Sequence, residues 1–209
     1  MKYPPKECVK KYGRANKIQE SILYATFDIL TALSEMRPKV GDLITISTWK
    51  LKTNYDLIVT PIFKNTTKNG EVHNAMSLRA EIEYKKALRQ YDEQLQKQLD
   101  IIIQFITDCF NKEVDNTNHY DYFLSSHYAS KIFWEFQNGE IDAILYPSVR
   151  QSLTLNNIAI KPTIFDLNYE LDTVEESIVI KVPNKESKGW NMNGTGISKT
   201  FNNNLIIWS

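Results

Sequence analysis

Three polar residues near the start of the chain are of types that can act together on a charged substrate. Arg14 lies in a polar loop, Tyr24 lies in the apolar segment that follows, and Glu35 lies further on, in the last turn of a predicted helix. A guanidinium can bind an anion, a tyrosine ring can stack on a flat heterocycle, and a carboxylate can stabilise positive charge. Taken singly, each is typical of an ordinary polar position at or near the surface, so the interest lies in the set.

Two short elements are expected to position these residues. Residues 21–26, with the sequence SILYAT, are apolar and typical of a strand. Thr26 or Asp28 can cap a helix that runs to about Met36, where Pro38 ends it. The tyrosine therefore falls in the strand, and the glutamate falls near the end of the helix, where the helix dipole disfavours a carboxylate.

The rest of the chain carries further strands around a long helical middle segment. Strands are predicted at residues 43–51, 57–59, 143–146, 158–160, 177–182 and 205–208, helices at 79–112 and 120–137, and a loop at 64–78. Because strands lie on both sides of the helices, the pattern predicts a single α+β domain. We place this domain at residues 1–183 and expect a polar tail at 184–209 that ends in one short strand.

An apolar stripe marks the predicted helix at 79–112. Its members recur at helical spacing and are Tyr84, Leu88, Tyr91, Leu95, Ile102, Phe105 and Cys109. Gln98 interrupts the row. A short, interrupted stripe favours a helix packed on the sheet, with Cys109 in the core and not a nucleophile. A non-catalytic helical interaction module, in which the stripe forms a coiled coil, is the alternative.

Composition argues against several classes of function. Lys and Arg together number 25, as do Asp and Glu, so the formal net charge is zero, which argues against a broad nucleic-acid surface. Two isolated cysteines, Cys8 and Cys109, indicate a reducing compartment. No signal peptide or membrane-spanning apolar run is visible, and the histidines lack the spacing of a zinc site. We therefore expect a cytoplasmic protein with no metal, no nucleic-acid partner and no membrane.

Four ordered motifs resemble the RES domain, a family named for its Arg, Glu and Ser residues. They are Gly13-Arg14-Ala15-Asn16, Leu23-Tyr24, Thr31-Ala32-Leu33-Ser34-Glu35 and residues 141–150, which contain Tyr146-Pro147-Ser148. Asn157-Ile158-Ala159 resembles the Asn-x-Ala strand that follows in the family. The resemblance covers roughly residues 4–165, and several motifs in register are much more specific than any one of them.

This resemblance implies a mixed β-sheet core similar to that of ADP-ribosyltransferases and an enzyme that destroys NAD by phosphorolysis or hydrolysis. Inorganic phosphate would be the second substrate in phosphorolysis. Arg14 would clamp the pyrophosphate or an incoming phosphate, Tyr24 would stack on nicotinamide, and Glu35 would stabilise the oxocarbenium-like state. Ser148 and Asn157 would position ribose or phosphate. No metal is needed, because nicotinamide is cationic in NAD and is already a good leaving group.

The same resemblance implies a protein partner. Bacterial members of the family are commonly paired with an antitoxin, and we expect one here that blocks the site by contacting an exposed Arg14. A mono-ADP-ribosyltransferase acting on a protein would use the same residues, and the sequence does not separate it from the NAD-degrading activities. The oligomeric state is also left open.

Overall fold

Helices and strands are mixed along the chain in a computed structural model that describes residues 2–63, 67–68, 71–72, 74–114, 118–184, 189–202 and 205–208. The α+β class predicted from the sequence is confirmed. The chain forms two compact units, the first made of Asp28–Asp56 and Phe165–Ser209, the second of Lys2–Phe27 and Leu57–Ile164. Within the described residues, no helix is long and apolar enough to cross a membrane.

A four-stranded sheet forms the centre of the second unit. Its strands lie in the order β1 (Leu23–Thr26), β7 (Asn156–Ile160), β6 (Ala143–Pro147) and β3 (Val59–Pro61). β7 is antiparallel to both of its neighbours, whereas β3 and β6 are parallel. Every residue of β6 is buried, which explains why this segment is a continuous apolar run in the sequence.

Strand register places two rows of residues on the same face of this sheet. Tyr24 on β1 lies opposite Ala159 on β7, which lies opposite Ile144 on β6. Two residues further along β1, the next row places Asn157 between Thr26 and Tyr146. Directly opposed residues point to one side of a sheet, and alternate residues of a strand share that side. The face therefore carries both an apolar row and a row with polar groups.

Helices pack on this sheet to close the core of the second unit. They are α2 (Ala75–Leu88), α3 (Glu93–Asn111) and α4 (Phe123–Trp134), with 3-10 turns at His119–Tyr122 and Phe136–Gly139 beside α4. The core cluster combines residues of the sheet, the helices and the N-terminal loop: Ala15, Ile22, Ile62, Phe110, Ala129, Phe133, Ile144, Tyr146 and Ala159. Phe110 and Phe133 are fully buried, so the ends of α3 and α4 are fixed against the strands.

The single helix predicted at 79–112 is wrong, because the structure has two helices there. α2 ends at Leu88, and the side chain of Asp92 accepts a hydrogen bond from the backbone N–H of Leu95 as the N-cap of α3. An aspartate at this position satisfies a donor that the first turn leaves unpaired. The break falls before Gln98, the residue that interrupts the apolar stripe.

The structure also corrects the loop predicted at 64–78. Thr67–Lys68 and Glu71–Val72 form the short antiparallel strands β4 and β5. α2 begins at Ala75, capped by the Asn74 side chain, which accepts from Ser77 N–H. Residues 64–66, 69–70 and 73 lie outside the described part of the chain.

The first unit contains a three-stranded antiparallel sheet in the order β2 (Leu43–Leu51), β8 (Tyr169–Lys181) and β9 (Asn191–Ser198). The helix α1 (Ile29–Met36) precedes it, and Asp28 caps α1 by accepting from the N–H and the hydroxyl of Thr31. α1 ends with Arg37 in the left-handed conformation, at φ 49°. The strand predicted at 43–51 and the helix that ends at Met36 are therefore confirmed.

The C-terminal segment contains more strand than the sequence suggested. β9 pairs with β8, and β10 (Thr200–Asn202) pairs with β11 (Leu205–Ile207). Only the last of these was expected, because Asn and Gly within β9 disfavour a strand assignment from sequence. The remaining helix, α5 (Pro162–Asn168), follows β7 directly.

A buried lysine joins the turn after α4 to the end of β7. The Lys161 ammonium donates to the Gly139 carbonyl oxygen and lies 5.0 Å from the centre of the Trp134 ring. Burial lowers the pKa of Lys161 below its usual value. The Trp134 indole N–H donates to the Glu20 carboxylate, so this end of the second unit is held by side chains from three parts of the chain.

Candidate active site

The loop that carries Arg14 is closed on itself by Asn16. The Gly13 N–H donates to the Asn16 carbonyl oxygen at 3.0 Å. The Asn16 side-chain amide donates to the carbonyl oxygens of Lys11 at 3.3 Å and Lys17 at 2.9 Å. Asn16 is buried, so these bonds satisfy its own side-chain amide inside the protein.

Tyr24 fastens this loop to β1 through its hydroxyl group. That oxygen accepts from the Ala15 N–H at 2.7 Å and donates to Asn16 Oδ1 at 2.8 Å. The side chain exposes 41% of its surface, while the hydroxyl is enclosed by the loop, and this desolvation raises its pKa above the ordinary range. The hydroxyl therefore stays protonated at neutral pH and acts as a structural donor, and the ring is the part that a ligand can reach.

Gly13 is required by the close approach of these two side chains. A Cβ atom at this position would lie 2.2 Å from Asn16 Oδ1 and 2.8 Å from the Tyr24 hydroxyl oxygen. Both distances are shorter than any van der Waals contact allows. The Gly-Arg-x-Asn pattern and the following tyrosine thus form one hydrogen-bonded unit whose geometry presents Arg14.

Arg14 is half-buried, so the expectation of an exposed side chain is wrong. Its guanidinium donates to the carbonyl oxygen of Phe110, in the last turn of α3, and to that of Lys112 at 3.2 Å. A cation is favoured there because the last carbonyls of a helix carry partial negative charge. The guanidinium carbon also lies 5.0 Å from the ring centre of Tyr122 and 6.0 Å from that of Tyr146, within the range of cation–π attraction.

Ser148 and Asn157 are both buried in the second unit, with the former fully inaccessible. Ser148 follows β6, and its N–H donates to the Leu155 carbonyl oxygen at 2.7 Å, while its own carbonyl accepts from Gln151 and Leu153. The backbone of Ser148 therefore shapes the turn between β6 and β7. Asn157 lies on the same sheet face as Tyr24 and Tyr146. A direct contact of either side chain with a substrate stays a prediction.

Glu35 lies in the last turn of α1, in the first unit, and is half-buried. The other four predicted residues, Arg14, Tyr24, Ser148 and Asn157, all belong to the second unit. α1 begins three residues after β1 ends, so the chain passes directly from the strand that carries Tyr24 to the helix that carries Glu35. The catalytic role of Glu35 stays a prediction from the sequence.

A nucleophilic Cys109 and a metal site are two possibilities that the sequence disfavours. Cys109 is half-buried on α3, and burial raises the pKa of its thiol, which disfavours the thiolate that a nucleophile needs. Among the described residues, which leave out His73, no group of three or more His, Cys, Asp or Glu side chains is placed to hold a metal ion.

Three residues at this site were not assigned a role from the sequence. Asn16 belongs to the Gly-Arg-x-Asn motif, but the motif does not reveal that its side chain is the centre of the loop. Tyr122 and Tyr146, which flank the Arg14 guanidinium, lie more than a hundred residues further along the chain. Tyr146 belongs to one of the motifs quoted above, but no local pattern reveals that either ring flanks Arg14, because this role depends on how α3, α4 and β6 pack around the loop.

Comparisons with known protein families, with curated proteins and with solved structures find no match to this chain.

Proposed function

We propose that this protein degrades NAD by cleaving the bond between nicotinamide and ribose, with phosphate or water as the acceptor. The observation that carries the proposal is the fixed Arg14 guanidinium, held by the Gly13–Asn16 loop and by carbonyl groups at the end of α3. The resemblance of the surrounding motifs to the RES domain supplies the reaction.

The arrangement of Arg14 suits an anionic ligand. A guanidinium has five N–H donors, and the bonds to Phe110 and Lys112 use donors on Nη1 and Nη2. The remaining donors form a fork of the kind that binds phosphate groups. Because the side chain is already held in place, little rotamer entropy is lost when a phosphate binds.

The exposed ring of Tyr24 suits the nicotinamide end of the substrate. Its hydroxyl is engaged by Ala15 and Asn16, so the ring orientation is fixed before a ligand arrives. A flat ring that is fixed in this way can stack on a heterocycle. In this proposal Tyr24 binds the leaving group and takes no part in proton transfer.

Bond cleavage places positive charge on the ribose, and Glu35 is proposed to stabilise it. The C–N bond to nicotinamide breaks with both electrons going to the ring nitrogen, so nicotinamide leaves as a neutral molecule. A phosphate oxygen then bonds to the ribose carbon and yields ADP-ribose phosphate, or water does so and yields ADP-ribose and a proton. A carboxylate beside an oxocarbenium-like state stabilises it electrostatically.

The first test measures nicotinamide release from NAD by the purified protein, with and without inorganic phosphate and without added metal. We expect NAD to be consumed. A phosphorylated ribose product identifies phosphorolysis, free ADP-ribose identifies hydrolysis, and ADP-ribose attached to protein identifies a transferase. Unchanged NAD after long incubation of folded protein at high concentration, with phosphate present, contradicts the proposal.

Glu35→Gln should lower kcat by about 100- to 1,000-fold, the usual effect of removing one well-placed stabilising group. The substitution keeps the size of the side chain and removes its charge. Glu83→Gln is the matched control, because Glu83 is an exposed carboxylate on α2, and it should retain full activity. A Glu35→Gln protein with a near wild-type rate would assign the stabilising charge to another residue.

A further inference from the structure

An aromatic platform lies beside the Arg14 loop and has no role in the proposed chemistry. It consists of Tyr12, His119, Tyr120 and Phe123. The Tyr120 ring stacks on the His119 ring, with centroids 4.3 Å apart and planes at 28°. Tyr120 exposes 68% of its surface and Phe123 exposes 51%. Tyr120 and Phe123 lie beside Tyr12 and form a contiguous patch of exposed aromatic rings, and contiguous patches of this kind mark binding sites.

The platform is tied to the Arg14 loop by a hydrogen bond and by ring packing. The Tyr12 N–H donates to His119 Nδ1 at 3.3 Å. The Tyr12 ring meets Phe123 edge-on at 5.6 Å and lies 6.2 Å from Tyr120. Because Tyr12 precedes Arg14 by two residues, their Cα atoms lie within about 7 Å. The Arg14 guanidinium carbon lies 5.0 Å from the ring centre of Tyr122, which is between Tyr120 and Phe123 in the chain, so the platform and the guanidinium are neighbours.

The same loop concentrates positive charge in a chain whose net charge is zero. Lys10, Lys11, Arg14 and Lys17 lie within eight consecutive residues, and no acidic residue lies between Cys8 and Gln19. Lys10 and Lys11 are exposed. Asp121, which follows Tyr120 in the chain, is paired with Lys112 at 2.8 Å. Flat aromatic rings next to a basic loop match the two parts of a nucleotide, a base and its phosphates.

We propose that this platform binds the adenine base of NAD, with Tyr120 as the stacking ring and the basic loop on the pyrophosphate. The inference rests on the proposed function, since it assigns the adenylate half of that substrate. Any nucleobase has a flat face that can stack on an aromatic ring such as Tyr120. ADP and ADP-ribose carry the same adenine and pyrophosphate as NAD, so both bind at the same place. Tyr120 makes no contact with the reacting bond and acts on affinity.

The experiment compares Tyr120→Ala, Tyr120→Phe and the control Tyr91→Ala, which removes another exposed tyrosine of the same unit. Kinetics are measured with NAD and with nicotinamide mononucleotide, which lacks adenylate. We expect Tyr120→Ala to raise KM for NAD by roughly 5- to 100-fold, the range of one base–aromatic stack. The ratio of kcat/KM for NAD to that for nicotinamide mononucleotide should fall by the same factor. Tyr120→Phe should restore it, and Tyr91→Ala should leave it unchanged.

Binding of ADP, measured by calorimetry, separates failure of this inference from failure of the proposed function. If NAD is not cleaved but ADP binds and Tyr120→Ala abolishes binding, the platform stands as a nucleotide site and the catalytic proposal falls. If NAD is cleaved and Tyr120→Ala changes neither KM nor ADP affinity, the platform assignment is overturned. It is also overturned if ADP does not bind the wild-type protein, or if a single-stranded oligonucleotide binds through Tyr120 more tightly than ADP.

Discussion

At the scale of single residues, the Gly13–Asn16 loop shows how a short motif can be structural and functional at once. Asn16 joins backbone groups on both sides of the loop, and the Tyr24 hydroxyl joins the loop to β1. None of these atoms need touch a substrate. They fix the backbone from which Arg14 extends, so in the proposed function substitutions at these positions would act on activity through the placement of Arg14.

Gly13→Ala should damage both stability and activity. The new Cβ would clash with Asn16 Oδ1 and the Tyr24 hydroxyl, so the buried Asn16 side chain must turn away and lose its hydrogen bonds to Tyr24, Lys11 and Lys17. The cost is about 1–3 kcal/mol in the free energy of unfolding, measured by urea denaturation. Gly194→Ala is the control, because nothing lies within 4 Å of a Cβ there. Equal stability of Gly13→Ala and wild type would show that this loop is not held as described.

The residue types at the site could be predicted from the sequence, but their bonding could not. The order of Gly13, Arg14, Asn16 and Tyr24 already suggested a unit. The contact of Arg14 with the Phe110 carbonyl joins residues that are 96 positions apart. Such a contact depends on how α3 packs against the sheet, and no spacing rule encodes it. For the same reason the predicted exposure of Arg14 was wrong.

At the scale of elements, the sequence predicts those helices and strands whose ends or apolar runs are marked by neighbouring residues. The apolar runs at β6 and β7 and the Asp28 cap of α1 fall where the sequence placed them. The break between α2 and α3 was missed because the apolar periodicity continues through it. β9 was missed because its pairing with β8, and not its own composition, makes it a strand.

Asp92→Ala should destabilise the protein by about 1 kcal/mol, the usual cost of losing an N-cap. The Asp92 side chain accepts from Leu95 N–H at 2.9 Å at the start of α3, and α3 supplies the Phe110 carbonyl that holds Arg14. Thermal unfolding followed by circular dichroism measures the effect. Asp92→Ser keeps a capping oxygen and should stay near wild type. An Asp92→Ala protein as stable as Asp92→Ser would argue against this cap as the start of α3.

At the scale of the whole molecule, charge is balanced overall but concentrated locally. The basic loop at Lys10–Lys17 contrasts with a formal net charge of zero, so a long-range attraction to nucleic acid is not expected. A short-range site for phosphate groups remains compatible with this balance. The proposed cleavage of NAD would harm the cell that makes the protein. The proposed function therefore predicts a partner protein that inhibits it.

Expression of the chain alone in bacteria should slow growth and lower cellular NAD, and Arg14→Ala should be tolerated. The substitution removes the proposed anion clamp. Arg89→Ala is the matched control, because Arg89 is exposed after α2, and it should be as harmful as wild type. NAD content and optical density are measured at equal levels of folded protein. If wild type and Arg14→Ala are equally harmless, the proposal that this protein degrades NAD in the cell is wrong.

The bond between Trp134 and Glu20 has a spectroscopic consequence. The chain has four tryptophans, Trp49, Trp134, Trp190 and Trp208, and only Trp134 belongs to the unit that carries Arg14 and Tyr24. With the other three replaced by phenylalanine, all indole fluorescence would come from a ring that bonds to Glu20 and lies near the Lys161 ammonium. Its emission would then report when this unit opens in denaturant, independently of the strands β2, β8 and β9.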